Sequence, residues 1–408
     1  MTAKSSSAGY DVVVVGLGLV GAASACALAS EGLSVAVIEE QSARTYSLDD
    51  DMRGLVLALS AKRLLERIGA WPALAAGVQE IHRVEVSDAG RFGSLSLTAS
   101  EAGLPMLGAV CPADRLFNVL TEKARAAAAV YFEHSYLSHA VDQAKDMVAV
   151  EIDAGRQGRM TLDAKLLIAA DGVDSMVREG AGIEREVTDF EQAALVSNVR
   201  IKDGYGIDSQ TALERFRADG PAALLPLGDR RFVAVLVDRP AQIENTQKSS
   251  PGDFETLIAE QFDLPCDAIS ACGKRMSYPL KGNRAKDIVD ERLVLLGNAA
   301  NTLHPNGAQG LNLGLRDVDA LTAVLGDRPA GIGAPAQLAR YRQLRAKDHR
   351  RAQLITRGMA GIFSSQLSPV RAVGNRITNL LAYAPSLRRA FARSMAGVDP
   401  IALDVESS

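Results

Sequence analysis

The chain predicts a Rossmann-like α/β fold of the dinucleotide-binding type, interrupted by a mostly antiparallel sheet and finished by C-terminal helices. Three observations predict it. A β-branched run over 10–15 leads into a glycine-rich turn and then an alanine-rich helical stretch. Between 193 and 240 the texture changes to apolar–polar alternation broken by turn residues (ALVSNVRI, ALERFRA, DGPAALLPLGDRRFVAVLV). Near residue 297 the glycine-rich strand–turn–helix pattern returns. Two domains in tandem would not return to it; one fold carrying an insertion would.

The elements follow in order. Residues 1–9 are polar and read as a disordered tail. Residues 10–15 read as a parallel strand buried on both faces, because such strands are continuous apolar runs. Residues 16–21 are the turn, 22–30 a helix stopped by Gly32, and 33–38 a second strand closed by Glu39. An amphipathic helix covers 61–70 and another 113–129, entered from Pro112. Residues 160–170 are strand-like and run into Asp171-Gly172; 292–296 form a short strand; from 336 onward the pattern is helical, broken by Pro369 and Pro385. The expected domains are a discontinuous nucleotide-binding body (10–80, 105–185 and 285–335), a second domain (81–104 and 186–284) and a helical region (336–408). Thr45–Asp51, with three consecutive aspartates, carries no functional reading beyond a flexible lid.

Bulk properties narrow the function. The 408 residues are 47% apolar and 23% charged with a net charge of −4, so the molecule as a whole is not built to bind nucleic acid. The four cysteines (26, 111, 266 and 272) form no C-x-x-C pair and no zinc-like cluster with histidine, so no metal is expected. Their scatter fits a reducing compartment. The polar N-terminus has no apolar signal core, and the run Val12–Val15 is broken by Gly16, Gly18 and Gly21. These features place the protein in the cytoplasm, with attachment to the inner face of a membrane left open.

Three motifs carry the chemistry. The first is Gly16-Leu17-Gly18-Leu19-Val20-Gly21, followed 23 residues after Gly16 by Glu39. Gly16 allows the tight turn, Gly18 lets backbone approach a pyrophosphate, and Gly21 permits close helix–strand packing. The helix N-terminus offers N–H groups and partial positive charge, and Glu39 can accept from ribose hydroxyls. This motif does not separate NAD from FAD. The second is Asp171-Gly172-Val173-Asp174-Ser175-Met176-Val177-Arg178, which alone is a turn signal. The third, Gly297-Asn298-Ala299-Ala300-Asn301-Thr302-Leu303-His304-Pro305-Asn306-Gly307-Ala308-Gln309-Gly310-Leu311-Asn312-Leu313-Gly314-Leu315-Arg316-Asp317, reads as a strand end, a glycine-rich loop and a helix start.

The second and third motifs resemble those of the para-hydroxybenzoate hydroxylase class, D-G-x-x-S-x-x-R and G-D-A-A-H-x-x-x-P-x-x-G-Q-G-x-N-x-G-x-x-D. With the segment 52–60 and the helix to Ile68-Gly69-Ala70-Trp71, nearly the whole chain resembles the ubiquinone-biosynthesis hydroxylases (UbiH, UbiF and VisC-like proteins). Gly-Asn-Ala-Ala-x-Thr-Leu-His-Pro is most like the UbiH branch. The chain departs from the class at Asn298, where Asp is usual and Asn still donates and accepts, and at Ala308, where Gly is usual.

The resemblance implies FAD as cofactor and NADPH or NADH as transient reductant. It implies an FAD-dependent monooxygenase that hydroxylates a polyprenyl methoxyphenol with O2, through a C4a-hydroperoxide of the flavin. Asp171, Gly172, Gly297, Gly307, Gln309, Gly310, Leu311 and Asn312 would then contact FAD, with Asn298 on its ribityl chain. Backbone N–H groups near 310–313 would face the flavin edge where negative charge develops. Arg53 and Arg115 (in Ala113-Asp114-Arg115-Leu116) would be further FAD contacts. Pro305 would meet the ring or substrate through its carbonyl. His304 would either relay the phenol proton or serve as a structural loop histidine. No second G-x-G-x-x-G unit is present for the nicotinamide, as suits a reductant that docks transiently.

From 340 to 393 there are 12 Lys and Arg against one acid, Asp348, with apolar residues interleaved. This basic stretch reads either as a dock for anionic lipid or a partner of the biosynthetic complex, or as an ordinary solvated helical face or one paired with the acidic body. Rival readings keep the fold: a hydroxylase of a soluble phenolic metabolite, or an FAD-binding subunit without turnover.

Overall fold

The computed structural model describes residues 8–42, 53–88, 94–142, 144, 146–205, 207–217, 219–271, 273–304, 309–326, 331–364 and 384–398, with the side chains of 8, 94, 271 and 355–364 excepted. The strands Ala8–Val15, Val35–Glu39, Ala129–Phe132, Arg159–Ala169 and Leu293–Leu295 run parallel, in the spatial order 293–295, 159–169, 8–15, 35–39, 129–132. Val12, Val13, Val14, Leu166, Leu167 and Ile168 are wholly buried, because helices or strands cover both faces. The first strand begins at Ala8, two residues earlier than the sequence pattern indicates, since Ala8 and Gly9 pair with Leu162 and Asp163.

Helix Leu19–Ser30 is buried from Gly21 through Leu28. Its small residues let it lie on the sheet while helices Ala113–Ala127 and Gln309–Gly326 pack against it. Helix Leu59–Arg67 is amphipathic, burying Ala61, Leu64 and Leu65.

A second sheet is mostly antiparallel. Its central strand Arg185–Ile201 pairs with Arg231–Asp238 and Met276–Ala285, and the sheet continues through Ala222–Gly228 to Thr211–Phe216. The exception is parallel: Thr211–Phe216 pairs with Arg83–Asp88 from far upstream, which in turn pairs with Ser94–Thr98. Helices Pro240–Lys248 and Pro251–Gln261 cover one face through Ile243, Phe254 and Ile258. Between the two bodies lies a small sheet of Gly54–Ala58, Gln79–Ile81 and Gly108–Pro112. A Cβ on Gly54 would fall 2.7 Å from Val233 Cγ2, so glycine there permits this close approach to the second sheet. The chain also crosses at Asn301–Thr302, which leaves the first body to pair with Asn283 and Arg284 of the second sheet. Among the described residues no helix is long and apolar enough to cross a membrane.

Candidate active site

Three loops meet at the C-terminal ends of neighbouring parallel strands, where ligands of open α/β sheets bind. Ladder hydrogen bonds carry each strand into its loop: Gly16 N–H to Ile38 O (2.8 Å), Ala170 N–H to Val15 O (2.8 Å) and Leu296 N–H to Ala169 O (2.9 Å). The loops touch. Gly16 has φ of +98°, and a Cβ there would lie 2.5 Å from Ala170 O and 2.9 Å from Asp171 Cα. A Cβ on Gly314 would lie 2.8 Å from Val20 Cγ2 and 3.3 Å from Gly297 Cα. The three sequence motifs are therefore one structural unit.

The unit fits a dinucleotide. Gly21 is packed, since a Cβ would fall 2.0 Å from Gly16 O, whereas a Cβ on Gly18 meets nothing within 4 Å. Gly18 is exposed and serves as N-cap without a capping side chain. The first N–H to bond back into that helix is Ala22, to Gly18 O (2.8 Å), as a helix N-terminus leaves its earlier N–H groups without intrahelical acceptors. Glu39 spans the crevice: Oε2 accepts from Leu17 N–H at 2.7 Å and Oε1 from Gln41 N–H at 2.9 Å. It thereby orients the glycine loop. In the second loop, Asp171 Oδ2 accepts from Val177 N–H at 3.2 Å, while Oδ1 is buried with no partner. An orphaned carboxylate oxygen costs desolvation free energy and is explained by a polar ligand atom. Asn298 exposes its side chain, and its carbonyl is fixed by Asn283 Nδ2 at 3.0 Å.

Two other residues hold the loops and escaped functional reading from the sequence. Ser175 caps the short helix Met176–Gly180 by accepting from Arg178 N–H. Arg178, 3% exposed, donates to Ala299 O (2.9 Å) and Val173 O (3.0 Å), tying the second loop to the third. The spacing D-G-x-x-S-x-x-R was the available signal.

The remaining candidates divide. Gln309, Gly310 and Leu311 form the first turn of helix Gln309–Gly326. Asn312, by contrast, uses its side chain as a clamp: Oδ1 accepts from Ala58 N–H and Nδ2 donates to Val56 O, both at 2.8 Å. Arg53 and Arg115 lie at one corner, because Ala113 N–H donates to Arg53 O at 3.0 Å. Arg53 is exposed, whereas Arg115 donates to Ala73 O at 2.8 Å and leaves Nε buried and unpaired. His304 is 3% exposed, bonds through Nε2 to Gln192 Oε1 at 3.0 Å and stands edge-on to Phe190 at 4.8 Å. That is the environment of a fixed loop histidine. Pro305, Gly307 and Ala308 lie outside the described residues, as does Thr45–Asp51.

Three of the basic C-terminal side chains form ion pairs within the chain. Arg342 meets Asp287, Arg345 meets Asp317 and Asp348, and Arg388 meets Glu101. Arg389 and Arg393 donate to the carbonyls of Glu101 and Ala102, so helix Pro385–Met395 is stitched to helix Ala99–Ala102. Burial pushes the thiols of Cys26 and Cys111 up to about 11 and about 12, which keeps them protonated and unreactive.

A family model described as FAD binding domain matches residues 9–357. The chain belongs to this FAD-binding family. It is 34% identical over 366 residues to the ubiquinone hydroxylase UbiL of Rhodospirillum rubrum, covering 88% of this chain and 83% of that protein. It is 30% identical over 374 residues to the 3-demethoxyubiquinol 3-hydroxylase of Escherichia coli, covering 90% and 93%. The fold matches that of p-nitrophenol 4-monooxygenase PnpA from Pseudomonas putida, with a TM-score of 0.75 at 18% identity over 95% of this chain and 98% of that one. The chain is thus an FAD-dependent hydroxylase of the UbiH-related kind.

Proposed function

We propose that this FAD-dependent hydroxylase adds oxygen from O2 to the ring of a polyprenyl (methoxy)phenol, with NADPH or NADH as reductant. The observation that carries the substrate class is an apolar wall beside the flavin-motif helix. Val56, Val84, Leu225 and Leu227 stand half-buried around Ile81, Val110 and Ala212. Val56 is the residue whose carbonyl Asn312 holds. An isoprenoid-bearing ring gains from such a surface about 25 cal/mol per Å² of apolar area it covers. The ubiquinone-pathway names of the two relatives support the same reading.

FAD, when bound, supplies the redox and oxygen chemistry. The chain's own residues bind and orient it. Gly16, Gly18 and Gly21 with the following helix N-terminus receive the pyrophosphate, Glu39 the ribose, and Asp171 and Asn298 the polar chain. Backbone N–H groups near 310–313 would face the flavin edge, where negative charge develops. Phe190 and Gln192 fix His304 at the end of the third motif's described run. Contact with the inner face of a membrane belongs to this proposal through the basic C-terminal region, of which Arg371 and Arg376 lie outside the described residues.

The test is an absorption spectrum of the purified protein under air, before and after adding NADPH and a short-chain prenylated methoxyphenol. Flavin bands at about 370 and 450 nm that bleach and recover, with hydroxylated product, are expected. Turnover of simple water-soluble phenols alone would move the assignment to a soluble metabolite. Flavin without turnover of any phenol would leave an FAD-binding subunit.

A further inference from the structure

One face of helix Pro335–Ser364 carries Arg345, His349 and Gln353 at successive four-residue steps. All three reach into the third motif. His349 Nε2 lies 2.7 Å from Asp317 Oδ1, and its Nδ1 lies 2.9 Å from Asn301 Nδ2. A carboxylate only accepts, so Nε2 carries the proton and Nδ1 receives the amide N–H. Gln353 Nε2 donates to Asn301 Oδ1 at 3.2 Å, completing the amide's partners. Asn301, His349 and Asp317 are 5%, 7% and 1% exposed.

The parts of this cluster have separable jobs. Arg345 already neutralises Asp317 and joins Arg316 on Asp348, so the two helices are bound together without His349. His349 instead bridges that ion cluster to Asn301. Asn301 opens the run 301–304 that leads to Pro305. Its backbone anchorage to the second sheet covers two residues, and the next side chain, Thr302, has a buried hydroxyl with no partner.

We propose that His349 is a positioning residue for the flavin-side run 301–304: it holds Asn301, and through it the run to His304, from a helix outside the nucleotide-binding motifs. The inference rests on the assignment of that loop to the flavin. Loss of the Nδ1 acceptor leaves a buried amide N–H unpaired, and the loop shifts to satisfy it.

The test separates the two ends of the imidazole in the FAD-loaded protein. His349→Asn places an oxygen where Nδ1 accepts from Asn301 and gives up Asp317. His349→Gln places an amide N–H toward Asp317 and gives up Asn301. We expect His349→Asn to keep the wild-type visible circular dichroism of bound flavin and the wild-type kcat. We expect His349→Gln to change the dichroism and lower kcat about tenfold, within the range that small misplacements cost, at equal FAD content. Asn301→Ala should reproduce His349→Gln, and the double variant should be no worse than either single one. Equal behaviour of the Asn and Gln variants, additive effects in the double variant, or changes that follow melting temperature alone would overturn the proposal. If both His349 variants fail to fold, Asn301→Ala decides by the same dichroism. Wild-type protein without flavin bands would instead remove the assignment on which the proposal rests, and the proposal with it.

Discussion

Gly18 and Gly21 lie three residues apart in one motif and answer to different constraints. At Gly21 a Cβ would overlap Gly16 O at 2.0 Å, while at Gly18 it would enter open space. Gly21→Ala should therefore destabilise the apoprotein by about 2 kcal/mol, as overpacking does. Gly18→Ala should leave the apoprotein's melting temperature unchanged and weaken FAD binding at least tenfold, because the methyl fills the pyrophosphate cradle. Melting curves of apoprotein and fluorescence titration with FAD read the two effects; unchanged affinity in Gly18→Ala would put the pyrophosphate elsewhere. The orphaned Oδ1 of Asp171 gives a parallel expectation. Removing a charged acceptor in Asp171→Ala should weaken FAD by roughly 10- to 100-fold, from the ~1.5–3 kcal/mol such hydrogen bonds contribute. Asp171 and its glycine were legible in the sequence because a turn motif lies within a few residues. Whether an oxygen is free or occupied was not legible.

At the scale of elements, side-chain clamps replace what local pattern cannot supply. Asn312 joins helix Gln309–Gly326 to strand Gly54–Ala58 across 254 positions of sequence. Asn312→Ala leaves Ala58 N–H and Val56 O without their partner and should cost about 1–3 kcal/mol in urea denaturation. Asn312→Asp should cost more, since it sets a carboxylate against the Val56 carbonyl; an equal or smaller loss would show that the clamp is not the source. The ion cluster joining the last two long helices makes a pH prediction. Burial pushes the Asp348 carboxyl up, but Arg316 and Arg345 outweigh it and hold it down at about 2, against an ordinary 3.8. A depressed carboxyl stabilises the fold fully above its unfolded value, and that contribution disappears as pH falls through the folded one. About 2 kcal/mol should thus be lost between pH about 4 and 2, and Asp348→Asn should flatten this limb of the stability profile. A variant with the same acid limb as wild type would contradict the assignment.

The whole molecule places a dinucleotide fold and an antiparallel sheet around one loop that belongs to both, since Asn301–Thr302 leaves the first body to pair with Met276–Ala285. The apolar cluster of Val56, Leu225 and Leu227 draws on both the small sheet and the second. At this scale the basic C-terminal region also changes meaning. Internal pairing was one of the readings the charge count allowed, and Arg388, Arg342 and Arg345 make such pairs with Glu101, Asp287 and Asp317. Replacing Arg388, Arg389 and Arg393 together by Gln should lower the melting temperature by a few degrees, as loss of about 1–2 kcal/mol does. Vesicle co-sedimentation with anionic lipid measures any remaining surface charge; lost lipid binding with an unchanged melting temperature would assign these residues to docking instead.

The sequence by itself determined the three glycine-bearing motifs and, through the family they resemble, FAD as the cofactor. Their parts are backbone requirements, a left-handed turn at Gly16, a close approach at Gly21 and helix starts after short loops, and each is written within a few neighbouring residues. The sequence also determined the interrupted order of the fold, because strand and helix periodicities are local. Tertiary structure alone decided which side chains bind and which brace. Asn312 and Arg178 hold other loops, the parallel pairing of Thr211–Phe216 with Arg83–Asp88 closes the second sheet, and His349 reaches Asn301. Those roles depend on contacts between residues brought together from distant parts of the chain. Residue type fixes what a side chain can donate or accept, and only the fold fixes the partner it meets.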